Sequence, residues 1–168
     1  MFVSTYESAI DSKGRVSVPA PFRAALGGGN RVFLWPAVDG SKCLEGGGEA
    51  LMSTYMQTIS RMSLQSRERK ALTAAIVSRS ADLKMDDPGR IKIPEKLLAH
   101  AGITGKIVFV GAMDSFQVWD PDAYAAYEAE MAEAAADPDV INALAAPYDA
   151  AIAAGGVPGL TLVKGDES

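Results

Sequence analysis

Asp11-Ser12-Lys13-Gly14-Arg15-Val16-Ser17-Val18-Pro19 returns, 75 residues later, as Asp86-Asp87-Pro88-Gly89-Arg90-Ile91-Lys92-Ile93-Pro94. Asp11, Gly14, Arg15, Pro19 and Ala24 meet identical residues at Asp86, Gly89, Arg90, Pro94 and Ala99, and Phe22 meets Leu97. At the same offset Val32-Phe33-Leu34-Trp35 falls on Ile107-Val108-Phe109-Val110, and Lys42-Cys43-Leu44-Glu45 on Gln117-Val118-Trp119-Asp120. A run of matched apolar positions at one offset marks an internal repeat, so the chain reads as two copies of one small unit.

Each copy begins with a short β segment, residues 5–10 and 80–85. The Asp-x-x-Gly-Arg turn follows, where Asp bonds to nearby backbone and Gly supplies a positive φ. Val16 and Val18, like Ile91 and Ile93, then alternate with polar residues, the period of a half-buried strand. Pro19 and Pro94 end that strand, having no N–H for a ladder. Short helices are predicted over 21–26 and 95–101, the first ended by Gly27-Gly28-Gly29 and the second by Gly102. Strands at about 31–35 and 42–45, then 106–110 and 115–119, complete the copies. A unit this small cannot bury both faces alone, so the copies are expected to pack on each other with pseudo-two-fold symmetry.

Between the copies, Leu51, Tyr55, Ile59 and Met62 recur at helical spacing, and a second helix is predicted over 67–77 with Leu72, Ala75 and Ile76 inward. Pro121 starts a helix to about 136, Asp137-Pro138 breaks it, and a last helix reaches about 154. The final dozen residues are expected to be disordered. The domain reading is therefore a first repeat over 1–48, a helical connector over 49–77, a second repeat with its C-terminal helix over 78–136, and an Ala-rich then acidic tail over 137–168.

Of the 168 residues, 48% are hydrophobic, and the mean hydropathy is +0.07. No apolar run approaches the ~20 residues that span a bilayer, and Met1-Phe2-Val3-Ser4-Thr5-Tyr6-Glu7 does not read as a signal peptide. The single cysteine, Cys43, excludes an intrachain disulfide. With the single His100 it also excludes the usual Cys/His zinc sites, so no metal and no cofactor are expected and the compartment reads as cytoplasmic. The net charge of −5 hides an asymmetry. Residues 1–112 carry 15 Lys/Arg against 10 Asp/Glu, whereas 113–168 carry one against 11. A basic body with an acidic tail fits nucleic-acid binding, and equally fits a tail that only keeps the chain soluble.

The paired motif, with Trp35-Pro36 and Val118-Trp119-Asp120, resembles the MraZ family over about residues 1–127. The resemblance implies an α+β fold of tandem AbrB-like units, a swapped-hairpin type of β-barrel with short flanking helices. It implies a sequence-specific, double-stranded-DNA-binding transcriptional regulator that represses the division and cell-wall gene cluster, including its own gene, through repeated G-rich boxes. It also implies a ring-shaped homo-oligomer, cytoplasmic and nucleoid-associated, with no membrane partner. Carried to matching positions, the family's DNA-contacting signature falls on Asp11, Lys13 and Arg15, and on Asp86 and Arg90. Pro88 stands where Lys13 does, which sets the second turn apart.

An arginine entering a strand reads two ways: as a fork for guanine or phosphate, or as a brace for its own aspartate. The repeat and the resemblance favour DNA contact for Arg15; for Arg90 both readings stand. Lys13 reads as a phosphate contact, while Asp11, Gly14, Asp86 and Gly89 build the turns. Arg23 and Arg31 read first as solvated charge and second as an extension of the basic surface. Arg61, Arg67, Arg69 and Lys70 read as helix-surface charge or a subunit contact. Trp35, Trp119, Phe33 and Phe116 read as core. Gly27-Gly28-Gly29 and Gly46-Gly47-Gly48 lack the context of a phosphate loop and read as flexible connections. No nucleophile–base pair is visible, so the chain does not read as an enzyme. The alternative is an oligomeric assembly module that binds no specific DNA.

Overall fold

The computed structural model describes residues 1–155. They form one compact unit over 1–125 and a second beginning at residue 126.

The first copy contributes β1 (Thr5–Ala9), β2 (Arg15–Ser17), α1 (Ala20–Ala25), β3 (Arg31–Pro36) and β4 (Leu44–Gly47). The connector is α2 (Glu49–Ser60) and α3 (Arg67–Leu72), which widens into a π-helical turn over Thr73–Val77. The second copy repeats the order with β5 (Ala81–Lys84), β6 (Arg90–Lys92), α4 (Glu95–Ala101), β7 (Lys106–Ala112) and β8 (Ser115–Trp119). The fold is thus α+β, with antiparallel sheet and several helices.

The strands of the two copies interleave. A six-stranded antiparallel sheet runs β1-β7-β8-β4-β3-β5, and β2 pairs with β6 in a separate ribbon. Exchanging the copies reverses the sheet order without changing it, which is the pseudo-two-fold expected from the repeat. The register obeys it too: Tyr6 lies opposite Phe109, and the residues 75 later and 75 earlier, Ala81 and Leu34, also lie opposite each other. β1 and β5 are the sheet edges, and each leads through its Asp-x-x-Gly-Arg turn into the β2–β6 ribbon. The edge backbone is in part engaged there, with Asp11 N–H donating to Arg15 O at 2.8 Å and Asp86 N–H to Arg90 O at 3.0 Å.

The offset of 75 does not survive the last hairpin. Leu44, Glu45 and Gly46 pair with Val118, Gln117 and Phe116, so symmetry matches Leu44 with Phe116 and Gly46 with Val118, 72 residues apart. Residues 37–43 connect β3 to β4, whereas β7 turns into β8 at 113–114 with Met113 at φ 66°. The shorter turn removes three residues, so the ungapped match of Leu44 to Trp119 is corrected and the strand expected at 42–45 runs over 44–47. Gly46 and Gly47 are not flexible connections either. Both are buried in β4, where a Cβ on Gly46 would come within 2.5 Å of Leu34 Cδ2 and 2.7 Å of Phe116 Cζ.

The main core is drawn from both copies: Val16, Val18, Phe22, Val32 and Leu34 from the first meet Ile91, Ile93, Leu97, Ile107, Phe109 and Phe116 from the second. Phe22, on the inner face of α1, touches the rings of Phe2, Tyr6, Phe109 and Phe116 at 5.2, 5.3, 6.3 and 5.5 Å. A smaller cluster lies where Met52 and Ile76 of the connector pack on Trp35, with Leu51, Tyr55 and Leu72 beside them. Among the residues spaced for a helix here, Ile59 is buried and Leu51 and Tyr55 half-buried; Met52 is the buried one the spacing omitted. Arg69 ties the two connector helices, donating from Nη1 to Ser60 O at 3.0 Å and Met62 O at 2.8 Å.

α5 (Pro121–Ala135) carries the chain into the second unit, which continues as α6 (Pro138–Asn142) and α7 (Ala145–Ala153). Asp137 caps α6, its Oδ1 accepting from Asp139 N–H at 2.9 Å, so the break at Asp137-Pro138 falls where the sequence puts it. The expected disorder of the final dozen residues lies outside the described residues. Among the described residues no helix is long and apolar enough to cross a membrane.

Candidate nucleic-acid interface

The two Asp-x-x-Gly-Arg turns are built alike. Asp11 Oδ1 accepts from the N–H groups of Lys13 at 2.9 Å and Arg15 at 2.8 Å, and Gly14 N–H closes the loop on Asp11 O at 3.0 Å. Asp86 Oδ1 accepts from Arg90 N–H at 2.7 Å, and Gly89 N–H donates to Asp86 O at 2.8 Å. Gly14 and Gly89 take φ of 76° and 86°, a region that costs any side chain strain. The difference is Pro88, which has no N–H to offer where Lys13 donates.

Each arginine is also held by its own aspartate. Arg15 Nε and Nη2 both lie 2.9 Å from Asp11 Oδ2, and Arg90 Nε donates to Asp86 Oδ2 at 2.8 Å. The brace therefore exists in both turns, but it uses only one edge of a guanidinium that carries five donors. The side chains remain 29% and 32% exposed, with Nη1 of each unbonded among the described residues. Bracing of this kind orients the fork rather than removing it from solvent.

The β2–β6 ribbon decides what lies beside what. Arg15 faces Lys92, Val16 faces Ile91, and Ser17 faces Arg90. Side chains alternate across a strand, so Val16 and Ile91 enter the core while Arg15, Ser17, Arg90 and Lys92 share the other face. Arg15 and Arg90 are diagonal neighbours there, with Cα atoms about 7–8 Å apart. Lys13 stands exposed at the tip of the first turn. The site residues expected from the sequence thus come together on one strip about three residues long. Lys92 joins them; the sequence shows it only as a polar alternation, and cross-strand register alone reveals its neighbour.

Arg23 and Arg31 both have partners, although Arg31 remains exposed as the sequence reading has it. Arg23 Nη1 donates to Val18 O at 2.6 Å, and its side chain lies where a Cβ on Gly89 would be. It lies against the second turn from α1 of the first copy, so a side chain at 89 would have to displace it as well as adopt the strained φ of 86°. Arg31 is bonded to Asp82 across the β3–β5 pair, its Nε donating at 2.9 Å, and also lies over Phe33 at 5.4 Å. Cys43 is fully buried, which pushes its thiol up to about 12 and leaves it unreactive. Among the described residues no three His, Cys, Asp or Glu side chains are placed to hold a metal.

Asp11 and Asp86 are both held below the ordinary carboxylate value, first by the backbone N–H of Arg15 and of Arg90 and then by the paired guanidinium. The charge of Arg15 is also felt at Asp86, which reports how near the two turns lie. A lowered folded value means that these aspartates stabilise the fold above the ordinary value near 3.8, and that the contribution is lost as pH falls through the folded value. Melting temperature should therefore drop on acidification below about pH 4. Asp11→Asn and Asp86→Asn, which keep Oδ1 but cannot titrate, should flatten that drop; an unchanged acid limb in the double variant would refute the assignment.

A family described as "MraZ protein, putative antitoxin-like" matches the chain twice, over residues 1–74 and 76–142. The two matches repeat the 75-residue period. The chain is 52% identical over 149 residues to a protein of Hyphomonas neptunium named transcriptional regulator MraZ, covering 89% of this chain and 90% of that one. It is 41% identical over 131 residues to the protein of that name from Parvibaculum lavamentivorans, covering 77% and 81%. It is 38% identical over 157 residues to that of Caulobacter vibrioides, covering 93% and 99%.

Proposed function

From the premise that the chain belongs to the MraZ family of DNA-binding transcriptional regulators, we propose that it acts as a sequence-specific repressor whose DNA-reading surface is the outer face of the β2–β6 ribbon. The observation that carries this is the meeting of Arg15 and Arg90 on one exposed strip, each with a guanidinium pre-oriented by its own aspartate. Arg forks of this kind suit guanine O6/N7 or phosphate oxygens, and Lys13 adds a phosphate contact. The fold is read as tandem AbrB-like units of the swapped-hairpin type, which the interleaved strand order supports. The domain division at 1–48, 49–77, 78–136 and 137–168 belongs to the same reading.

One ribbon presents few base contacts, too few for tight specific binding. A ring-shaped homo-oligomer on tandem G-rich boxes supplies the rest through effective concentration. The target is the promoter of the division and cell-wall cluster, the chain's own gene included, and the protein is cytoplasmic, nucleoid-associated and not an enzyme. The test is a gel-shift titration against the DNA upstream of its own gene across a salt series. Each phosphate neutralised releases counterions, so log K should fall linearly with log salt, with a slope of about −0.9 per phosphate contact. Binding that ignores salt, or that does not distinguish this DNA from scrambled sequence, would leave an assembly module instead.

A further inference from the structure

Lys92 sits directly opposite Arg15 in the ribbon, with Cα atoms about 4.5–5.5 Å apart as in any antiparallel pair. Its stem reaches the first turn: the place a Cβ would take on Gly14 is 3.6 Å from Lys92 Cε. It is exposed, and among the described residues its ammonium has no acid partner. Lys13, at the tip of the same turn, is likewise without one. Three cations, Lys13, Arg15 and Lys92, therefore gather at the first turn; Arg15 is held by Asp11 and its charge also reaches Asp86, while neither lysine has an acid partner among the described residues. The symmetric position at the second turn holds Ser17 opposite Arg90, with Pro88 in the lysine place and Asp87 added.

We propose that Lys92 is a DNA-backbone contact, so that the first turn's phosphate-binding surface is composite, two cations from the first copy and one from the second. The inference rests on the ribbon being the DNA-reading face. A lysine at this position suits phosphate rather than a base edge, because its ammonium is a compact, hydrated point charge on a flexible stem with no planar fork. Arg15 beside it keeps the geometry for base reading. The interleaving of the copies produces this arrangement, because it pairs the strand after the first turn with the strand after the second.

The experiment titrates the full-length wild type, Lys92→Ala, Lys92→Gln, Arg15→Ala and the exposed control Lys84→Ala against promoter and scrambled DNA over a salt series. Oligomer size and melting are checked for each. Lys92→Ala and Lys92→Gln should flatten the slope of log K against log salt by about 0.9, weaken both DNAs by the same factor, and leave their ratio unchanged. Lys92→Arg, which keeps the charge, should restore the slope. An unchanged slope in both neutral variants overturns the proposal, as does an equal flattening in Lys84→Ala, which would show only the loss of net charge. A changed ratio between the DNAs overturns the phosphate assignment. If wild type binds and Arg15→Ala fails while Lys92→Ala binds normally, this inference alone is lost. If wild type itself does not bind, the functional reading falls with it.

Discussion

Arg15→Ala should cost about 1–3 kcal/mol of affinity for the promoter boxes and relax the preference for them over scrambled DNA, while Arg90→Ala costs less. The turns themselves should survive both changes. Asp11 Oδ1 keeps the Lys13 and Arg15 N–H groups, and Asp86 Oδ1 keeps that of Arg90, without either guanidinium. What differs is the field around the fork. Residues 11–15 sum to +1 and lie beside Lys92, whereas residues 86–90 sum to −1 and lie beside Ser17. Arg23, which lies against Gly89 of the second turn, is committed to Val18 O. Phosphate therefore approaches the first turn more readily, and Arg15 is the better-placed reader. Lys13→Ala should differ in kind, weakening binding evenly across sequences and flattening the salt slope by about one. Equal losses for the two arginine variants would show that the copies act alike, and no loss for Arg15→Ala would remove the ribbon from the interface.

Phe22→Ala should lower folding stability by about 3–5 kcal/mol, the range for emptying a buried aromatic site. Phe22 is 1% exposed and meets four rings, two of them from β7 and β8 of the other copy. Edge-to-face pairs of this kind add to the area buried. The cavity cannot be closed by one copy relaxing alone, because its walls belong to both. Phe22→Leu, which copies what the second repeat has at Leu97, should cost less. Urea unfolding followed by tryptophan fluorescence measures both, since Trp35 and Trp119 are buried. A loss below about 1 kcal/mol for Phe22→Ala would mean that the rings do not hold the copies together.

Much of this chain is written in local pattern. The 75-residue period, the two turns, the period-two strands after them and the helices over 95–101 and from Pro121 all follow from short-range rules. Glycine at positive φ, aspartate bonding to its own loop and proline at strand ends act within a few residues, so the sequence alone determines them. Lys13, Arg15 and Arg90 were legible as candidate site residues for the same reason. What the tertiary structure decided is who lies next to whom. Pairing of β1 with β7, β3 with β5 and β2 with β6 joins segments tens of residues apart, and no local signal specifies such partners. That pairing sets Lys92 against Arg15, buries Gly46 between Leu34 and Phe116, and lays Arg23 against Gly89. It also shortens the repeat offset from 75 to 72, because strands align by backbone hydrogen bonds and side-chain packing, which pass over residues added in a turn.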